Sequence, residues 1–195
     1  MKSIQPLSVE QFLEEHQSSG QLFLGVAGSG IISFDSYEFK SPAPALAAPA
    51  EKTAGSRIFT LQISTADVDR KGHRLNPHGC DLEAYKANPV LMWNHEGYSN
   101  PNAIIGKALS ITQTDAGITA VVEYASLTGN PLPEQLFELE TKGLLPGNSI
   151  GLRPTGQIFR HPDGTTTIGE WELIDISKVA IPVNGRATNK LIQPT

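Results

Sequence analysis

From Arg57 onward the chain alternates between apolar and polar residues, and most of its expected elements follow from that alternation. Residues 58–65, IFTLQIST, carry apolar side chains at 59, 61 and 63, which predicts a strand. Residues 66–74 are turn chemistry, with Asp69 and Gly72 suited to a tight reversal. Asp81 caps a short helix over LEAYKAN, which Pro89 stops. Residues 90–93, VLMW, are too few for a helix and read as a buried strand. Residues 103–111 and 118–124 form two strands of a hairpin around Thr114-Asp115-Ala116-Gly117. Pro133 opens a helix over EQLFELETK, apolar at i, i+3 spacing, and Gly143 closes it. Further strands are expected over 149–152, 156–159, 165–168 and 171–181, with His161-Pro162-Asp163-Gly164 a turn between two of them. The sum predicts an α+β domain with an antiparallel, barrel-like β core, closed or nearly so, and two or three helices.

Upstream of Arg57 the texture differs. Ser8 and Gln11 stand at capping-box spacing at the start of a helix over VEQFLEEHQ. A Gly-rich apolar stretch follows, LFLGVAGSGIISF, and then SPAPALAAPAEKTAGS, built of residues with little to pack. Three parts are therefore expected: an N-terminal extension over 1–40, a linker over 41–56 and a folded domain over 57–195.

Composition narrows the function classes. The 195 residues, 39% hydrophobic and 18% charged, suffice for one domain with a real core. No apolar run approaches the roughly 20 residues of a membrane span, and the first residues lack a secretory apolar region. A single cysteine, Cys80, excludes an internal disulfide and suits a reducing compartment. The net charge is −5 with no Lys/Arg cluster, which argues against a nucleic-acid partner.

Three places can supply the parts of a serine hydrolase: a hydroxyl, an imidazole and a group that orients the imidazole. WNHEG sets His95 just past a buried strand. GNSIGLR sets Ser149 between two glycines at a strand entrance. ELIDIS sets Asp175 on the strand face opposite Leu173, where a buried carboxylate needs a partner. An ion pair of Asp175 with Lys178 or Arg153 is the competing structural reading. Gly147 to Gly151 also matches the G-x-S-x-G elbow of α/β-hydrolases. That elbow requires a helix after the serine and a histidine beyond the acid. Here Pro154 and Gly156 follow almost at once, and no histidine lies beyond Asp175. His73, His78 and Cys80 match no standard zinc spacing and read as loop residues. Neither a metal nor another cofactor is expected. Trp93 and Trp171 read as core packing.

Four segments in order, STADVDRKGH, VLMWNHEG with IIGKA, GNSIGLRP and WELIDISKVAIPVN, resemble the prohead maturation proteases of tailed phages over residues 60–184. The resemblance implies a fold like that of herpesvirus assemblins, a β-barrel ringed by helices. It implies His95 as base, Ser149 as nucleophile and Asp175 as third member, where many relatives carry Glu. It also implies action on a major capsid protein or scaffold polypeptide inside the prohead, in the host cytoplasm. Backbone N–H groups near Ser149 are expected to hold the oxyanion, with Asn148 and Arg153 as oxyanion or substrate residues. Self-association follows from the herpesvirus likeness by fold analogy alone. The N-terminal extension then reads as a propeptide or capsid-docking arm. Two other classes remain open: a non-catalytic capsid-assembly module and a small serine esterase.

Overall fold

Strand ladders organise the molecule, as the period-two patterning predicts. The computed structural model describes residues 4–17, 23–26, 29–34 and 57–189. Its strands, in chain order, are β1 (Gln5–Leu7), β2 (Phe23–Val26), β3 (Ser29–Phe34), β4 (Ile58–Thr65), β5 (His73–Leu75), β6 (Cys80–Asp81) and β7 (Val90–Trp93). They continue as β8 (Ile104–Thr114), β9 (Gly117–Tyr124), β10 (Asn148–Pro154), β11 (Ile158–Arg160), β12 (Thr166–Ile168) and β13 (Trp171–Lys178). The helices are α1 (Val9–Gln17), α2 (Glu83–Ala87) and α3 (Leu132–Thr141).

The main sheet runs β2-β3-β10-β13-β7-β8-β9-β4, with β6 pairing β13 beside β7, and a smaller sheet runs β1-β11-β12-β5. Most pairs are antiparallel, whereas β13 pairs β6 and β7 in parallel and β12 pairs β5 in parallel. The run from β10 round to β4 curls until its ends meet, where the Asn148 amide donates to the Gln62 carbonyl at 2.9 Å. This is the expected α+β, barrel-like architecture. Leu61, Ile105, Val122, Ile150, Leu152 and Ile176 fill the interior, and Trp171 is fully buried among them.

Local chemistry accounts for where elements begin. Ser8 and Gln11 form the capping box: the Gln11 N–H donates to Ser8 Oγ at 3.1 Å and the Ser8 N–H to Gln11 Oε1 at 2.9 Å. Asp81 accepts from the Glu83 N–H at 2.9 Å, so α2 is shorter than expected and starts at Glu83. The Asn130 carboxamide accepts from the Leu132 N–H at 3.1 Å, so α3 starts two residues before EQLFELETK. The hairpin is longer than expected, with β8 and β9 running to a two-residue connection, Asp115-Ala116. Upstream of Arg57, β1 pairs with β11 and Phe12 is fully buried in the core, so residues 4–17 pack on the domain. The Ala/Pro stretch 41–56 lies outside the described residues.

One buried ionic group ties α3 to the barrel. Lys178, with no exposed surface, pairs with Glu140 and donates to Asn148 Oδ1 at 2.7 Å. Glu140 also accepts from the Tyr124 hydroxyl at 3.2 Å and from the Asn189 amide. Lys178→Met strands the Glu140 carboxylate and is expected to cost about 3–5 kcal/mol. Phe12→Ala opens a core cavity at a similar cost of about 3–5 kcal/mol. Urea midpoints of the two variants measure both; an unmoved midpoint for Phe12→Ala would separate α1 from the cooperative unit.

Candidate active site

Strands β10 and β13 pair antiparallel with Ser149 opposite Ser177 and Gly151 opposite Asp175. The register then slips, so that Leu152 faces Leu173 and Ile174 is an extra residue on β13. In an unbroken strand Leu173 and Asp175, two apart, would share a face. The bulge puts them on opposite faces. Leu173 and Ile176 therefore enter the core with Ile150 and Leu152, while Asp175 and Ser177 join Ser149 on the other side of the ladder. The expected orientation of Asp175 holds, through a bulge rather than simple alternation.

His95 reaches this face from the end of β7, which runs parallel to β13 with Trp93 opposite Lys178. The Asn94 N–H donates to the Lys178 carbonyl at 2.9 Å. The chain then passes through two left-handed residues, Asn94 (φ 51°) and His95 (φ 58°), an uncommon conformation for residues with side chains. That double turn aims the imidazole back over the ladder. His95 Nε2 lies 2.6 Å from Ser149 Oγ, and His95 Nδ1 lies 2.9 Å from Asp175 Oδ1 and 3.2 Å from Oδ2. With Nδ1–H donating to the carboxylate, Nε2 is left as the acceptor for the serine hydroxyl. Ser149 is 0% exposed, Asp175 1% and His95 7%.

The carboxylate has further donors. The Tyr98 hydroxyl donates to Asp175 Oδ2 at 2.7 Å and Ser177 Oγ donates to Oδ1 at 2.8 Å. The Ser177 hydroxyl in turn accepts from the His95 N–H at 3.2 Å. Burial alone pushes the Asp175 carboxyl up. The His95 charge and the bonds from His95, Tyr98 and Ser177 outweigh it and hold the group below the ordinary carboxylate value. Gly151 makes the space: a Cβ there would collide with Asp175 Oδ2 and come within 3.1 Å of the Tyr98 hydroxyl. Gly147 is similarly constrained, since a Cβ would run into the Val179 carbonyl.

The structure thus brings His95, Ser149 and Asp175 together and leaves Asn148 and Arg153 apart from them. Asn148 points to the opposite side of β10, where its side chain is engaged by Lys178, Gln62 and Asn189; its N–H donates to the Ala187 carbonyl. Arg153 lies four residues along the strand from Ser149, about 13 Å at strand rise, and pairs with Glu172. Neither Lys178 nor Arg153 pairs with Asp175, since their carboxylate partners are Glu140 and Glu172. His73 contacts Asp69 and His16, His78 contacts Asp115, and Cys80 is buried with its thiol pushed up by desolvation. Sequence reasoning missed Tyr98, Ser177 and the reason for Gly151. Ser177 was within reach, two positions from Asp175 on one strand; nothing in the sequence marks Tyr98 beyond its place three residues after His95.

No family model matches the sequence, and no curated protein matches it. The fold, a curled sheet-rich α+β domain, is similar to that of a protein of known structure. One solved structure it matches is the bacteriophage T4 capsid assembly protease gp21, with a TM-score of 0.50 and 11% identity over 78% of this chain and 95% of that one. No helix among the described residues is long and apolar enough to cross a membrane.

The depressed Asp175 value has a sign in stability. A carboxyl held low in the folded state stabilises above its unfolded value of about 3.9 and loses that contribution as pH falls through the folded value. Asp175→Asn is therefore expected to flatten part of the stability loss as pH falls below about 4. Urea midpoints against pH for the two proteins measure the difference; parallel curves would contradict it.

Proposed function

We propose that the chain is a serine endopeptidase that cuts capsid or scaffold polypeptides, and itself, during maturation of a phage prohead. It acts inside that shell, in the host cytoplasm. The observation that carries this reading is the unbroken row Ser149 Oγ, His95 Nε2, His95 Nδ1, Asp175 Oδ1, at 2.6 and 2.9 Å. The fold shared with a capsid assembly protease supports the choice of peptide over other acyl substrates.

In this mechanism Ser149 Oγ attacks the peptide carbonyl carbon while His95 Nε2 takes the hydroxyl proton. The imidazolium so formed is stabilised by Asp175. Collapse of the tetrahedral adduct breaks the C–N bond, and the proton on Nε2 passes to the leaving amine. Water, deprotonated by the same nitrogen, then hydrolyses the acyl ester and restores the serine. Residues 4–17 pack on the domain, and the Ala/Pro stretch 41–56 that follows in the chain is a site of self-cleavage because an extended chain fits a protease cleft.

Co-expression with a phage capsid or scaffold polypeptide, followed by intact-mass measurement, tests the reading. Cleavage is expected with the wild-type chain, and Ser149→Ala is expected to lower its rate by about 10,000-fold or more. Rapid hydrolysis of simple acyl esters with the polypeptide left whole would instead identify an esterase. Absence of both reactions would identify a non-catalytic assembly module.

A further inference from the structure

Tyr98 has no part in the proton path, yet it touches the group on which that path depends. It sits on the short 3-10 turn Glu96–Tyr98 that follows His95, so one turn carries both the imidazole and the phenol. Three side chains hold the Asp175 carboxylate: His95 Nδ1 lies nearer Oδ1, at 2.9 Å against 3.2 Å for Oδ2, Ser177 Oγ donates to Oδ1 at 2.8 Å, and the Tyr98 hydroxyl donates to Oδ2 at 2.7 Å. Aspartate has a single methylene, and its terminal torsion is broad and roughly two-fold. The Tyr98 donor on Oδ2, opposed by Ser177 on Oδ1, holds that torsion and with it the direction of the oxygen nearer His95. Gly151 leaves the room in which the carboxylate and the phenol meet.

We propose that Tyr98 is a positioning residue for the reaction: with Ser177 its hydroxyl fixes the plane of the Asp175 carboxylate, and it draws negative charge away from Oδ1, the oxygen nearer His95. The inference rests on the serine-hydrolase reading of the site. Burial and the Asp175 charge push the Tyr98 hydroxyl up, so it stays protonated and remains a donor. Its effect on His95 has a definite sign. Loss of the donor concentrates charge on the carboxylate oxygens, favours the imidazolium and raises the midpoint of the His95 titration.

The test uses the full chain with Tyr98→Phe, which keeps the ring and removes only the hydroxyl. Two quantities are read against pH: the rate at which a fluorophosphonate labels Ser149, followed by intact mass, and the His95 imidazole titration, followed by NMR. The variant is expected to show a higher His95 midpoint. Its labelling rate should fall about tenfold at neutral pH, the scale of a lost hydrogen bond to a charged group, with the gap narrowing as pH rises. A labelling rate and midpoint equal to wild type would overturn the proposal. So would a slower rate with an unmoved midpoint, which marks simple packing. Should Tyr98→Phe fail to fold, 3-fluorotyrosine at position 98 supplies a stronger donor and must move the midpoint downward; an unmoved or raised midpoint overturns the proposal. A wild-type chain that no fluorophosphonate labels at any pH would defeat the hydrolase reading separately, because the NMR titration still reports the coupling of Tyr98 to His95.

Discussion

The antiparallel pairing of β10 with β13 is the constraint from which the other features follow. One face of this two-strand ladder must be apolar, because Ile150, Leu152, Leu173 and Ile176 complete the barrel interior. The other face carries Ser149, Gly151, Asp175 and Ser177, which would be costly to bury without partners. The extra residue Ile174 reconciles the two demands by shifting the phase of β13 just before the carboxylate. Each polar group on the second face then finds a partner in the turn after β7 or on the ladder itself.

That turn concentrates backbone strain beside the candidate site. Two successive left-handed residues with side chains are held where a straight continuation of β7 would carry His95 past the ladder. The Lys178 carbonyl anchors Asn94, and the Ser177 hydroxyl anchors the His95 backbone. Both anchors lie on β13, the strand that supplies the carboxylate. The opposite side of the same strand is fixed by the buried Lys178–Glu140 pair and the bond from Lys178 to Asn148, next in sequence to the serine. The site is thus held from both faces of one ladder.

Much of this was legible in the sequence because the longer strands carry period-two patterning. Strands β4 and β7 match their expected bounds, and β9 and β13 differ from theirs at the ends. The three central side chains were legible as residue types at strand ends and between glycines. What escaped notice is short or long-range. The three-residue β1 and β5 and the two-residue β6 carry too few positions to show a period. The packing of Phe12 into the core joins residues far apart in the chain, and no local pattern encodes it. The Tyr98 contact depends on where a turn of irregular backbone happens to point, which composition and spacing do not record. Asn148 is expected as an oxyanion or substrate residue; alternation along β10 turns its side chain to the side opposite Ser149, where it bonds Lys178 and Gln62 instead.

The concealment of the serine has a kinetic meaning. On the serine-hydrolase reading, a hydroxyl with no exposed surface must gain access before it can meet a peptide carbonyl. Turnover would then include a step that exposes the hydroxyl, and the frequency of that step, rather than bond making, can set the pace. Such an arrangement uncouples having the machinery from using it. On that reading, access to Ser149, as much as the geometry of its partners, sets when the hydroxyl can react.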